Sequence, residues 1–274
     1  MPIVIIALGV LALLLLIGVL KINPFIVFVI VSLAMGMALG LTPMESIESV
    51  KHGVGDILES LVMILGFGAM LGKIVADSGA AQSITGGLIK AFGKKNVQYA
   101  LVLTGFVVGI PMFYSVGFVI LVPLVFTIAA STGLPLIYVG LPMLASLSVT
   151  HGYLPPHPAP TTIAVMYEAD IGMTLLYGVI IAVPAILAAL VYSRTIKGIE
   201  AKPLKEFLNP NVLTEDELPG FGLSVAIALL PVILILALSL SQLLLPESSR
   251  FLMVMEFLGE PSIALLISVL AAVY

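Results

Sequence analysis

The chain has 274 residues, of which 61% are hydrophobic and only 9% charged, and its mean hydropathy is +1.25. Soluble domains carry about 25% charged residues, so this composition describes a polytopic membrane protein. The formal charge of -4 offers no basic face to nucleic acid. The lack of cysteine excludes disulfides and thiolate chemistry, and three scattered histidines fit no metal-ligand spacing, so no cofactor, metal or nucleic-acid partner is expected.

Ile3 to Leu20 is an apolar run with no basic segment before it and no small-residue cleavage site, and it reads as a retained first span rather than a signal peptide. Pro24 to Leu41 follows after Lys21-Ile22-Asn23. Both runs approach the ~20 residues that a crossing needs, and they should pair antiparallel. Thr42 to Asp56 reads as a mixed loop and residues 57–76 as a third span. Asp56 and Glu59 flank that span, Lys73 near its end is long enough to snorkel, and Gly66, Gly68 and Gly72 give the small-residue spacing of close helix packing. Asp77 to Asn96, with Gly79, Gly86, Gly87, Gly93 and Lys90, Lys94, Lys95, reads as interfacial or short-helical.

Val97 to Ala130 contains no charge, yet it is too long for one crossing and short for two. A re-entrant hairpin over 97–131 satisfies the length, with its tip at Gly109-Ile110-Pro111-Met112-Phe113-Tyr114-Ser115-Val116-Gly117. Residues 135–169 read as a broken helix, interrupted by Thr150-His151-Gly152-Tyr153-Leu154-Pro155-Pro156-His157-Pro158-Ala159-Pro160-Thr161-Thr162. Four prolines there remove amide donors and clash with preceding turns, so no continuous helix can run through. At membrane depth the freed backbone groups must face protein or a polar cavity. A span over 171–193 follows, then a polar linker over 194–220, then 221–274, whose last apolar run from Ser262 is shorter than a crossing. That short run leads us to expect a truncated product.

With the hairpin returning to its own side, nine basic residues share one side: Lys21, Lys73, Lys90, Lys94, Lys95, Arg194, Lys197, Lys202 and Lys205, against Lys51 and Arg250. The positive-inside rule then makes the 194–220 linker cytoplasmic and the N-terminus external. Five crossings in 1–193 is an odd number, so a repeat beginning near Phe221 would insert upside down. The expected fold class is therefore an all-α polytopic transporter with inverted repeats, a re-entrant hairpin and a broken helix, holding one complete repeat and the start of a second.

A half-helix starting near Ser115 or Gly117 would aim unpaired amides, with about half a positive charge, at a cavity where a carboxylate is the natural guest. Gly109 and Gly117 would let backbone approach that guest closely. His151 and His157 titrate near neutral pH and sit within an apolar region, where ionisable groups are costly to bury; each could bind substrate or relay a proton, or instead satisfy a carbonyl of the broken helix. Thr150, Thr161 and Thr162 supply hydroxyls, with capping of the second half-helix expected of Thr161. Glu168 and Asp170 read as an interface or N-terminal cap pair. The candidate substrate-binding residues are thus Gly109, Pro111, Ser115, Gly117, Thr150, His151, His157, Thr161 and Thr162, and the candidate proton carriers are His151 first and His157 second.

The stretch Thr150-His151-Gly152-Tyr153-Leu154-Pro155-Pro156-His157-Pro158 resembles the signature of the gluconate permease family. Gly68-Ala69-Met70-Leu71-Gly72-Lys73 with Ser78-Gly79-Ala80-Ala81, Val116-Gly117-Phe118-Val119 through Pro123-Leu124-Val125-Phe126, and Ala169-Asp170-Ile171-Gly172 are similar to further family segments in the same order. The resemblance implies a multi-pass symporter of the bacterial inner membrane for gluconate or a related sugar acid or hydroxy acid, usually driven by protons, not an enzyme. Its partners would be the lipid bilayer, a small carboxylate, a coupling proton or sodium ion, and a second copy in a homo-oligomer. The family also implies a carboxylate where Ser115 stands, which leaves coupling ion and exact substrate open, and a second half beyond Tyr274. Two other classes stay in view: a membrane enzyme using His151 and His157 for acid-base chemistry, and a nontransporting assembly partner.

Overall fold

The computed structural model describes residues 2–196, 213–246 and 248–274, and its regular elements are all helices. By contacts the chain divides into two compact units, Met1–Leu61 and Val62–Tyr274. The first contains α1 (Pro2–Leu14, continued by a π turn over Leu15–Val19), α2 (Pro24–Ala38) and the start of α3 (Pro43–Asp77), which runs across the boundary. Asn23 caps α2 by accepting from the Phe25 amide at 3.0 Å, with Pro24 in the first helical position, where its missing N–H costs nothing. The pairing expected of the first two runs is present: α1 packs on α2, and a Cβ at Gly9 would collide with the Met35 thioether.

The mixed loop expected over Thr42 to Asp56 is instead helix. Thr42-Pro43-Met44-Glu45 is a capping box: the Thr42 amide and hydroxyl donate to one Glu45 carboxylate oxygen at 2.7 and 2.8 Å, and the Glu45 amide donates back to the Thr42 hydroxyl at 3.3 Å. These two donors hold the Glu45 carboxyl below its ordinary range, backbone N–H first and hydroxyl second. The T-x-x-E spacing of this box is present in the sequence.

The second unit contains the rest of α3, α4 (Ala80–Phe92), α5 (Val97–Gly109), α6 (Tyr114–Thr132), α7 (Leu136–Tyr153), α8 (Pro158–Met166), α9 (Ile171–Thr195), α10 (Phe221–Leu244), α11 (Arg250–Leu258) and α12 (Pro261–Val273). Among the described residues four helices are long and apolar enough to cross a membrane, namely α1 with its π turn, α6, α9 and α10. Counting α3 and the α11–α12 pair as one broken span each brings the number to six. The chain is an all-α, multi-pass membrane protein. Large apolar side chains such as Ile180, Leu187 and Val191 on α9 point outward, at 57%, 50% and 61% exposure, as a lipid-facing surface requires.

Helix α7 is the hub, packing against α5, α6, α8 and α9. Lipid gives no hydrophobic drive for helix association, so close backbone approach at small residues carries the packing. At Gly105 a Cβ would fall on the Met143 carbonyl oxygen, and at Gly140 it would meet Val125 at 2.9 Å. Of the α3 glycines, a Cβ at Gly72 would meet the Pro111 carbonyl oxygen at 3.0 Å and one at Gly68 the Phe113 ring at 3.7 Å, while one at Gly66 would meet nothing within 4 Å. Lys73 pairs with Asp77 at 2.7 Å, both side chains well exposed. Asp170 caps α9 through the Met173 amide at 2.6 Å, whereas exposed Glu168 sits in the turn before it.

The Lys197, Lys202 and Lys205 assignments lie outside the described residues. The end of the linker runs along α4, with Gln82 donating to the Leu213 carbonyl at 2.8 Å and Ser83 to that of Pro219 at 2.7 Å.

Candidate functional site

Two backbone breaks define the site: residues 110–113 between α5 and α6, and residues 154–157 between α7 and α8. Helix α7 runs through Thr150 to Tyr153 before stopping, and α8 resumes at Pro158 rather than at Thr161. The first residue of each break, Ile110 and Leu154, is buried in one cluster with Leu175, Val232, Ile235 and Ala264. Shared burial therefore draws two segments far apart in sequence to the same place.

There the histidines form a chain. Nε2 of His157, which is 4% exposed, lies 2.9 Å from the carbonyl oxygen of Gly109, and its Nδ1 lies 3.1 Å from Nδ1 of His151. A carbonyl only accepts, so His157 donates from Nε2; a neutral ring then presents a bare Nδ1, and His151 must donate to it from its own Nδ1. The Gly109 carbonyl ends α5 and lacks a helical partner, so His157 satisfies a buried acceptor that would otherwise be costly. The Phe113 ring stands edge-on to His151, with centroids 6.1 Å apart. Four helix ends thus converge: α5 through Gly109, α6 through Phe113, α7 through His151 and α8 through His157.

The other predicted residues divide. Phe113 occupies the cap position of α6 without any side-chain acceptor, so the amides of Tyr114, exposed Ser115 and Val116 form an uncapped, partly positive helix start beside His151. Pro111 is buried under Gly72 of α3. The close approach expected at Gly109 and Gly117 is made to α7 rather than to open space: a Cβ at Gly109 would meet Leu147 and Thr150 at 3.1 Å, and one at Gly117 would meet Leu147 at 2.9 Å.

Thr150 and Thr162 spend their hydroxyls on Ser146 and Pro158 carbonyls of their own helices, at 2.9 and 2.7 Å, the back-bonding habitual for threonine inside a helix. Thr161 does not cap α8. His157 holds the cap position, and Thr161 lies one turn in, with its amide on the His157 carbonyl at 3.1 Å. Its hydroxyl is buried and has no hydrogen-bond partner.

A polar clamp went unread in the sequence. Gln98, 2% exposed, donates to the Tyr138 carbonyl (2.9 Å) and the Ser193 hydroxyl (3.3 Å) and accepts from Arg194 Nε (2.8 Å), tying α5, α7 and α9; the Arg194 guanidinium lies over the Tyr99 ring at 5.4 Å. A lone glutamine in an otherwise apolar run was the available signal. An apolar groove of about 460 Å³ lined by Phe118, Val125, Leu141 and Tyr192 contains none of the predicted site residues.

The family model described as GntP family permease matches residues 1–274. The chain belongs to this family. It is 54% identical over 276 residues to the high-affinity gluconate transporter of Escherichia coli, 48% over 275 residues to the Gnt-II system L-idonate transporter of the same organism, and 43% over 288 residues to the gluconate permease of Bacillus subtilis. Each alignment covers 100% of this chain, but only 63%, 63% and 64% of the relative, so the chain spans somewhat under two thirds of their length. No solved structure matches.

Proposed function

We propose that the full protein to which this chain corresponds is a secondary transporter of gluconate or a closely related sugar acid in the bacterial inner membrane, coupled to protons and working by alternating access. The observation that carries this reading is the meeting of the two breaks, where His157 bridges His151 to the Gly109 carbonyl beside the uncapped start of α6. Amides at that helix start favour a carboxylate, and the imidazole of His151 adds a group that can accept and release a proton. The relatives' names, gluconate transporter, L-idonate transporter and gluconate permease, support the substrate class.

In this reading residues 97–131 and 135–169 are a re-entrant hairpin and a broken helix, and the 194–220 linker is cytoplasmic, with the basic residues of the sequence as support. The membrane-enzyme alternative loses ground to the transporter names. The test is uptake of labelled gluconate by the full-length protein in proteoliposomes under an imposed proton gradient. Accumulation that collapses with a protonophore is expected, and His151→Ala should abolish it while membrane insertion stays normal. Absence of accumulation for gluconate and idonate under both proton and sodium gradients would end the proposal.

A further inference from the structure

The histidine chain has a direction. His157 donates to Gly109 and so must accept from His151, which leaves His151 with its proton on Nδ1 and a bare Nε2. If both rings were cationic, both Nδ1 atoms would carry hydrogen, and two N–H groups would face each other across 3.1 Å. The pair therefore admits one additional proton, not two, for as long as its hydrogen bond holds.

We propose that His157 is a positioning residue that fixes the tautomer of His151, and that Nε2 of His151 is the single atom where the coupling proton enters and against which the substrate carboxylate docks. This rests on the transport reading above. The step balances simply: a proton from solvent adds to the Nε2 lone pair, the imidazolium keeps its Nδ1–H bond to His157, and Nε2 changes from acceptor to cationic donor. Only then does it suit a carboxylate oxygen, so proton and anion arrive as a pair.

The described surroundings leave room for that anion. Helix α7 and the helices that make up the main packing around it, α5, α6, α8 and α9, contain no Asp or Glu. Their titratable groups are Tyr99, Tyr114, Tyr138, Tyr153, Tyr177, Tyr192 and Arg194, and Arg194 is held by Gln98 and Tyr99. On the part of α3 that touches the first break, Lys73 and Asp77 pair with each other. Of the acids between α8 and α9, Asp170 is committed to the Met173 amide and Glu168 is exposed. Among the described residues of these elements a cationic, half-buried His151 has no acid beside it, and a charge partly withdrawn from solvent without a partner is costly. The transported anion provides one.

The test uses the full-length protein with 15N-labelled histidine in lipid bilayers, without substrate. Nitrogen spectroscopy distinguishes a protonated ring nitrogen from a bare one. At alkaline pH His151 should show hydrogen on Nδ1 only and His157 on Nε2 only; on acidification Nε2 of His151 should gain hydrogen while His157 is unchanged. A His151 carrying hydrogen on Nε2 at alkaline pH, or two cationic rings within the pH range of uptake, would overturn the proposal, and both are read without reference to any substrate.

In uptake, His157→Leu should raise KM about tenfold or more and flatten the pH profile. His157→Gln, whose amide can donate to Gly109 and accept from His151, should recover most of that loss. Equal defects in the two variants, with the pH profile unmoved, would reduce His157 to a packing role. A protein that passes the spectroscopic test but transports no sugar acid would defeat the functional reading alone.

Discussion

Gly105→Ala probes whether the contact of α5 with α7 holds the site together. The added Cβ would lie on the Met143 carbonyl oxygen, with the carbonyl carbon and Ser146 Cβ each at 3.1 Å, and main chain cannot rotate out of the way as a side chain can. Relieving the contact moves α5 away from α7 by about 1 Å, given ordinary carbon contact distances of roughly 3.5–4.0 Å. Overpacking of this kind costs about 1–3 kcal/mol, while the better helix propensity of alanine returns about 1 kcal/mol.

One turn further along α5, the 2.9 Å bond from His157 to the Gly109 carbonyl would stretch beyond hydrogen-bond range. Stranding that buried carbonyl adds about 1–3 kcal/mol. The net loss is about 3 kcal/mol, or roughly 5–10 °C in unfolding midpoint on the scaling of soluble domains of similar size. The assay is the temperature at which detergent-solubilised, fluorescently tagged protein loses its monodisperse size-exclusion peak, run beside Gly86→Ala. Gly86 lies within α4 with nothing within 4 Å, and alanine there should be neutral or stabilising. If Gly105→Ala matches Gly86→Ala in stability and keeps wild-type KM, the α5–α7 contact does not hold the site.

Gln98→Leu removes three hydrogen bonds, one buried and two half-buried, at the ends of α5, α7 and α9, and about 2 kcal/mol of stability should go with them, checked by the same thermal assay. Thr161→Val keeps the shape and deletes a buried hydroxyl that has no protein partner, so it should raise the midpoint without substrate and diminish the further rise that gluconate produces. Glu217, on the polar segment before α10, has its pKa lowered by the Thr214 amide and hydroxyl. Its capping contribution is present above the ordinary carboxylate range and is lost as pH falls through the lowered folded value. Hydrogen exchange at the Thr214 amide should therefore accelerate relative to neighbouring amides only at acidic pH, and Glu217→Gln should remove the dependence; a pH-independent ratio in the wild type would contradict the cap.

The breaks were legible because their causes are local. Prolines 155, 156, 158 and 160 cannot sustain a helix, and the Gly109 to Gly117 segment announces itself by glycine, proline and polar residues in an uncharged block. The start of α3 is equally local in its Thr42–Glu45 box, although the mixed composition of 42–56 reads as a loop. The capping role expected of Thr161 failed for a different reason, since His157 holds the cap of α8. Whether Thr150, Thr161 or Thr162 turns toward its own helix or toward a site depends on rotamer and neighbours, which residue type does not specify.

By itself the sequence determined that this chain belongs in a membrane, where its apolar runs lie, that two of its helical stretches are interrupted, and that two histidines lie at one interruption. Hydropathy, proline chemistry and residue identity are properties of short segments, so the linear order contains them in full. Only the tertiary structure decided that Ile110 and Leu154 share one buried cluster, that Gly109 presses on α7 and gives its carbonyl to His157, and that His157 thereby sets the hydrogen-bond direction of His151. Those facts join residues tens of positions apart, and a hydrogen bond between them exists only once packing has brought both ends within reach.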